Sequence, residues 1–410
     1  MDDQTKTRMI KIGIVIQRYG QEVVGGAETL ARNVAERLNA SGCDVTVFTT
    51  TAKDYITWKN EFQPGNSILK GVNIRRFPVE RERDINAFDR FSTEVFANVM
   101  AEHPAFNPEE EKEWVERQGP YCPSLIEALR RSQDEINVFI FFTYLYYPTI
   151  EGLKVVDKPA ILFPTAHDEP PLYLNLMKEV FCRPDALFFL TAWEMKFIRD
   201  TFQPVNASLL VRSGVDIRSD IDPQLFRKRF GQCLPYLLYA GRIEKGKGLE
   251  TVFDAYHELR KRRLIDLVLM GKKWMDIPSI DGIKYVGFVS EEEKLSAFKG
   301  AVASIQPSPL ESLSITTLES FSQQTPVLVN KKCQALQEHI EISRGGLAYE
   351  NTDELMDHCH TLYDNRKLRY QMGINGYHYV QTYYSWDMMI QKVKMYLTDT
   401  LTTKEKIYDI

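Results

Sequence analysis

The stretch Pro307 to Pro326, PSPLESLSITTLESFSQQTP, holds two carboxylates, Glu311 and Glu319, eight residues apart. The apolar run from Ala301 to Ile305 reads as a buried strand and PSPL as a Pro-punctuated loop. Leu313 to Ser322 then reads as a helix that Thr325-Pro326 ends. On a helix rising about 1.5 Å per residue, eight residues cover roughly 12 Å, about two turns along nearly the same side. The amides at the helix start, on Ser312, Leu313, Ser314 and Ile315, lack intrahelical acceptors and sit at the positive end of the dipole. A phosphate between the acids, with hydroxyl groups at either end, would use all of these groups. Two solvated glutamates at a helix start would have the same spacing, so the spacing alone does not decide.

A second set lies upstream. In Gly241 to Gly248, GRIEKGKG, Arg242 and Lys247 stand among glycines, so both can turn toward a diphosphate without bulky neighbours. Surface loops hold solvated Arg and Lys just as readily. His167 lies in Pro164-Thr-Ala-His-Asp-Glu-Pro170, at the carboxyl end of the strand Ala160 to Phe163, where open α/β sheets bind ligands. A histidine beside Asp and Glu is otherwise a structural hydrogen-bonder. Asp220-Ile-Asp222 is a DxD, the metal signature of the GT-A nucleotide-sugar fold, but beside Pro223 it reads as a turn, so no metal site is expected.

These groups need a scaffold, and the chain repeats one. Lys11 to Ile16 is an apolar strand, Gln17 to Gly26 a loop, Ala27 to Asn39 a helix with Leu30, Val34 and Leu38 on one face, and Asp44 to Thr50 the returning strand. The pair Gly25-Gly26 lets backbone approach a ligand at that helix start. The second half repeats the order: strand Tyr236 to Ala240, the loop with Arg242 and Lys247, helix Leu249 to Arg262, strand Ile265 to Met270. Two such units predict twin Rossmann-like α/β domains with a cleft between them. Between them, Asp84 to Glu135 reads as a helical excursion with Asn107-Pro108-Glu109 as a helix start. Asn137 to Phe142 reads as a buried strand and Thr143 to Thr149 as its exit loop. Ser290 and Glu293 form a capping box. Tyr384-Ser-Trp386 opens a last amphipathic helix with Met389, Val393 and Leu397 on one face.

Together, PS-x-x-ES-x-S-x-x-x-LE-x-x-x-x-x-TPV, GR-x-x-x-x-KG, the glycine-rich first loop and Gly214-Val215-Asp216 resemble the retaining GT-B glycosyltransferases of family 4, group 1. The resemblance implies a GT-B fold, two Rossmann-like domains facing each other across a cleft. Residues 1–217 would form the acceptor-side domain with its excursion at 84–135, and 218–384 the nucleotide-sugar domain. Residues 385–410 would form a helix packing back on the first domain. It assigns the donor diphosphate to Arg242, Lys247 and the Ser312, Leu313, Ser314 and Ile315 amides, with Gly25 and Gly26 facing it from the other domain. Glu311 and His167 then contact the donor sugar as the catalytic pair, Glu319 the ribose, and Phe288 and Val289 the base. No cofactor or metal is implied, only a nucleoside-diphosphate sugar as co-substrate and a hydroxyl acceptor on a glycan, a lipid-linked glycan or a protein. Ser314 and Gln324 depart from the family, which usually has glycine at both positions. A nucleotide-sugar epimerase and an inactive nucleotide-sugar-binding subunit are the rival readings.

Length and composition agree with this frame. At 410 residues the chain exceeds one ordinary core. A net charge of -5 argues against a partner bound through nucleic-acid phosphates. The six cysteines are scattered without CxxC spacing, which predicts neither zinc nor disulfides and makes a reducing cytosol the default. No run approaches the roughly 20 apolar residues of a membrane span, and the start MDDQTKTRM lacks a signal-peptide core. A cytoplasmic protein is expected, with contact at the inner membrane face left open.

Overall fold

The computed structural model describes residues 9–97 and 107–408, so most of the polar start and residues 98–106 of the excursion lie outside the described residues. The chain divides into two units: one runs to Val211 and resumes at Ile390, the other is Arg212–Met389.

The first unit carries β1 (Lys11–Val15), α1 (Gly26–Ala40), β2 (Asp44–Thr50), β3 (Gly65–Leu69) and β4 (Val72–Phe77). The excursion follows as α2 (Ile85–Val95), α3 (Pro108–Gln118) and α4 (Pro123–Arg131). Then come β5 (Val138–Phe142), α5 (Tyr147–Val155), β6 (Ala160–Phe163), α6 (Met177–Cys182), β7 (Ala186–Phe189), α7 (Ala192–Phe202) and β8 (Ala207–Leu210). The sheet order is β3-β4-β2-β1-β5-β6-β7-β8, parallel except where β3 pairs with β4. Strands β5, β6 and β7 are apolar and buried at every residue, as a parallel sheet covered on both faces requires. In the excursion, Asn107 caps α3 by accepting from the Glu109 amide, Pro108 takes the first turn, and three glutamates meet the positive helix end.

The expected exit loop after β5 is shorter than the sequence suggests, because α5 begins at Tyr147. Pro148 falls in its first turn, where a missing amide hydrogen costs nothing. Tyr144 and Tyr147 are buried in the core, and Tyr144 donates to Glu169 Oε1 at 2.7 Å. Core packing therefore accounts for these two rings.

The second unit holds α8 (Gln224–Phe230), β9 (Tyr236–Ala240), α9 (Leu249–Arg262), β10 (Asp266–Met270), β11 (Ile283–Gly287), α10 (Glu291–Gly300), β12 (Ala303–Gln306) and α11 (Ile315–Ser322). It closes with β13 (Val327–Asn330), α12 (Gln334–Ser343), β14 (Gly346–Tyr349), α13 (Thr352–Asp364) and α14 (Arg366–Tyr383). Its sheet, β11-β10-β9-β12-β13-β14, is parallel in every pair. Helix α15 (Trp386–Tyr408) starts in this unit and joins the first from Ile390. Met389, Val393 and Leu397 are buried along it, and Lys392 donates to the Leu210 carbonyl at 3.1 Å.

The helix expected from Leu313 begins two residues later, at Ile315. Ser314 has φ +64°, a left-handed conformation that a helix cannot include. Glu311 therefore lies in the loop, and the estimate of roughly 12 Å along one helix does not apply, because only Glu319 is on α11.

Gly248, at φ +73°, precedes α9, and a Cβ there would overlap the Pro307 carbonyl. Gly26, the first residue of α1, has open space where its Cβ would be. Gly248→Ala should therefore cost about 2–5 kcal/mol, left-handed strain plus a backbone clash that cannot relax. Gly26→Ala should be neutral or stabilising by up to about 1 kcal/mol. Urea titrations of both variants check this, and equal midpoints would contradict it.

Candidate functional site

In an open parallel sheet, ligands bind outside the carboxyl ends of the strands where the strand order reverses. In the second unit that point lies between β9, which leads outward to β10 and β11, and β12, which leads to β13 and β14. The two exit loops there are Gly241 to Gly248 and Pro307 to Ser314, and their backbones touch where Gly248 meets Pro307.

That contact sets Lys247 Nζ 2.7 Å from Glu311 Oε1 and 3.4 Å from Ser308 Oγ. Arg242 Nη2 lies 3.2 Å from Glu244 Oε1 on the same loop, and the Arg242 carbonyl accepts from Tyr239 Oη at 2.6 Å.

Four carbonyls of the 307–314 loop are held by side chains, one from the loop itself and three from neighbouring segments. Asn330 Nδ2 donates to the Pro307 carbonyl at 2.9 Å, Ser308 Oγ to that of Leu310 at 2.9 Å, and Cys333 Sγ to that of Glu311 at 3.7 Å. His339 Nε2 meets the Leu313 carbonyl at 2.6 Å. Across a trans peptide the carbonyl and the next amide point in opposite directions. Tying down Leu313 therefore turns the Ser314 amide away from these supports. Left-handed Ser314 and the α11 start then add the Ile315 amide, an arrangement suited to an anion.

Glu319, one turn into α11, is buried; its Oε1 is 2.7 Å from Lys294 Nζ, and its Oε2 has no hydrogen-bond partner among the described residues. Burial holds the Glu319 carboxyl above the ordinary carboxylate range, with Lys294 working against that effect. Burial also opposes the charge on Lys294, but Glu319 and Glu291, the latter 2.9 Å away, outweigh it and raise its pKa. Phe288, which follows β11, is 59% exposed, and Val289 is half-buried just before the Ser290–Glu293 capping box.

The first unit has its own reversal point between β1 and β5. Thr143 Oγ1 donates to Gln17 Oε1 at 3.2 Å, and Gln17 Nε2 donates to Glu28 Oε1 at 2.9 Å. Glu28 also takes Arg18 Nη2 at 2.5 Å in a buried ion pair. Gly25 precedes α1 because a Cβ there would overlap the Glu28 carboxylate. His167 Nδ1 is 3.4 Å from Glu169 Oε1, which already holds the Tyr144 hydroxyl. Asp168 Oδ1 accepts from Tyr173 Oη at 2.7 Å.

Within the second unit, then, Lys247, Glu311 and the loop from Ser312 to Ile315 come together. Arg242 sits on the same loop as Lys247, and Glu319 lies on the helix that follows. His167, Gly25 and Gly26 belong to the first unit. Asp220 pairs with Arg218, and Asp222 Oδ1 accepts from the Gln224 amide at 2.8 Å, the turn expected there.

Lys294, His339 and the Arg18–Glu28 pair escaped the sequence reading. Lys294 follows three glutamates in what reads as a solvated helix start. Its partner is 25 residues away, so no local pattern marks it. His339 is a lone histidine on the buried face of α12.

Residues 221–379, within the second unit, match the family model described as glycosyl transferases group 1. No curated protein sequence matches the chain. Among solved structures, sucrose-phosphate synthase from Thermosynechococcus elongatus is similar at TM-score 0.74 and 15% identity, over 96% of this chain and 100% of that one. Anabaena HepE in complex with UDP and glucose follows at 0.68 and 13%, over 95% and 100%. α,α-Trehalose 6-phosphate synthase from Burkholderia multivorans gives 0.68 and 12%, over 98% of each chain. These likenesses establish the fold as GT-B, built from two Rossmann-like α/β bodies.

Burial pulls the His339 pKa down to about 4, against 6.5 for an exposed histidine. Between those values the unfolded chain takes up a proton that the folded chain refuses. Stability is therefore unaffected above pH 6.5 and falls as pH drops toward 4. Between pH 7 and 4.5 the loss should be about 2–3 kcal/mol. Urea titrations of wild type and His339→Gln at both pH values check this: the variant should lack that component, and an identical pH response would contradict it.

Proposed function

We propose that the chain is a glycosyltransferase that moves a sugar from a nucleoside-diphosphate sugar to a hydroxyl acceptor, with retention of anomeric configuration. The observation that carries this reading is the meeting of Lys247 and Glu311 at the reversal point of the second sheet, beside a loop whose carbonyls are tied down. A cation, an acid and outward amides in one place suit a phosphate ester joined to a sugar.

The chemical demand is to stabilise a departing diphosphate. Lys247, Arg242 and the amides from Ser312 to Ile315 offer positive charge and donors where negative charge develops, so the reaction as proposed calls on no metal ion. Glu311 receives the sugar hydroxyls and favours positive character at the sugar. Glu319 Oε2, buried and without a partner among the described residues, suits a ribose hydroxyl, while Lys294 holds the other oxygen in place. Phe288 and Val289 border the base, and His167 on the first unit is assigned to the sugar. HepE, of the same fold, is described with UDP, glucose and UDP-glucose, which makes UDP the first nucleotide to try. A glycan, a lipid-linked glycan or a protein is the proposed acceptor, in polysaccharide or glycoconjugate synthesis. No described helix is long and apolar enough to cross a membrane, and contact at the inner membrane face is part of the proposal only as a peripheral one.

A charged hydrogen bond is worth about 1.5–3 kcal/mol, so each loss should be on the order of tenfold to a hundredfold. Lys247→Ala should weaken UDP binding by that factor and leave uridine binding nearly unchanged; equal losses would refute its role. Glu319→Ala should mainly raise the donor KM, since its contact exists in ground and transition states alike, whereas Glu311→Gln should mainly lower kcat. Steady-state kinetics with UDP-sugars decides, and wild-type kcat in Glu311→Gln would overturn the assignment.

A further inference from the structure

Behind the anion loop runs a chain of polar groups that starts at the half-buried Arg212, which also lies 3.9 Å from Glu338, and continues through the buried Tyr384, Tyr379, His339 and the Leu313 carbonyl. Arg212 Nη1 is 3.2 Å from Tyr384 Oη, the two tyrosine oxygens are 3.0 Å apart, and Tyr379 Oη is 3.0 Å from His339 Nδ1. His339 Nε2 closes the chain at Leu313, and Tyr384 Oη also approaches Nδ1, at 3.4 Å.

The two ends fix the direction of every proton. A guanidinium only donates and a carbonyl only accepts. Arg212 therefore gives its hydrogen to Tyr384, Tyr384 donates to Tyr379, Tyr379 donates to Nδ1, and the imidazole carries its single proton on Nε2. Reversing any link would leave two donors or two acceptors facing each other without water, which is costly in a buried site. Arg212 is the first residue of the second unit, and Tyr384 also accepts the Val215 amide on its carbonyl at 3.0 Å, so the chain starts on a braced segment.

We infer that His339 is a positioning residue for the anion loop: held in one tautomer by this directed chain, it keeps the Leu313 carbonyl turned inward and so presents the Ser314 amide to the ligand. Ser314, left-handed without being glycine, has an alternative conformation to relax into once Leu313 is released. The inference rests on the donor-site reading only for the identity of the ligand.

Inorganic pyrophosphate is the probe, because it engages the loop without a base or sugar. By calorimetry, His339→Phe should weaken pyrophosphate about tenfold. His339→Gln, which keeps a donor toward Leu313, should recover most of that loss, and Tyr379→Phe should fall between. Wild-type affinity in His339→Phe, or no rescue by Gln, would overturn the inference. Labelled-imidazole NMR of the wild type needs no variant to fold: a neutral ring protonated at Nε2 is expected at pH 7, and protonation at Nδ1 would overturn it. If wild type binds no pyrophosphate, the donor-site reading fails, and the crystal structure of His339→Phe decides this one. A turned Leu313–Ser314 peptide supports it and an unmoved peptide refutes it.

Discussion

The site in the second unit depends on the contact between Gly248 and the Pro307 carbonyl. Strands β9 and β12 are neighbours in the sheet, yet the residues their loops bring together are 64 apart in the chain. Only a residue without a Cβ lets the α9 start lie against the β12 exit. That approach places Lys247 beside Glu311 and leaves the 307–314 loop within reach of Asn330, Cys333 and His339, on β13, just before α12 and on α12. The loop has almost no regular hydrogen bonding of its own, so side chains from those neighbours set its polarity. The direction of the loop's peptides is therefore set by those neighbours.

The two units share a strand–loop–helix order but differ in charge. In the first, the start of α1 is already answered by the chain's own Glu28 carboxylate, and Arg18 balances that anion in a buried pair. Losing one partner of such a pair typically costs about 3–5 kcal/mol because a bare charge remains inside. Gly25 is needed there for packing, whatever ligand comes near. In the second unit the corresponding loop ends in Lys247, whose partner Glu311 comes from a different loop and is about a quarter exposed. One turn is neutralised internally, while the other holds a cation that an incoming anion can reach.

What the sequence disclosed follows from the range of each interaction. Helix α9 and strands β2, β6 and β9 were legible residue by residue, and the Ser290–Glu293 cap formed as its spacing predicts, because local periodicity and caps act over a few residues. Ser314 and Gln324, which depart from the family's glycines, both have positive φ, +64° and +58°. The pattern marked where the backbone is unusual but not that α11 would start late as a result. Lys294 with Glu319, and the chain from Arg212 to His339, were not legible because each partner lies on a different element. His339 carries no mark in sequence beyond being polar on an apolar face; only the geometry around it turns a buried histidine into a donor with a fixed direction.

The two lysine–glutamate pairs of the second unit differ in what a ligand must break. Lys294 occupies only one oxygen of Glu319, so a hydroxyl can reach Oε2 while the pair stays intact. Lys247 likewise bonds one oxygen of Glu311, Oε1, but that pair is about a quarter exposed, so a sugar hydroxyl that takes this oxygen competes with the ammonium for it. A diphosphate resolves that competition, because it offers Lys247 a more highly charged partner and releases Glu311 toward the sugar. A charge-assisted hydrogen bond, worth about 1.5–3 kcal/mol, is thus exchanged rather than lost. On the proposed reading, Glu311 Oε1 is released toward the sugar when the diphosphate is in place. On that reading, a free sugar arriving without its nucleotide has to compete with Lys247 for Glu311 Oε1.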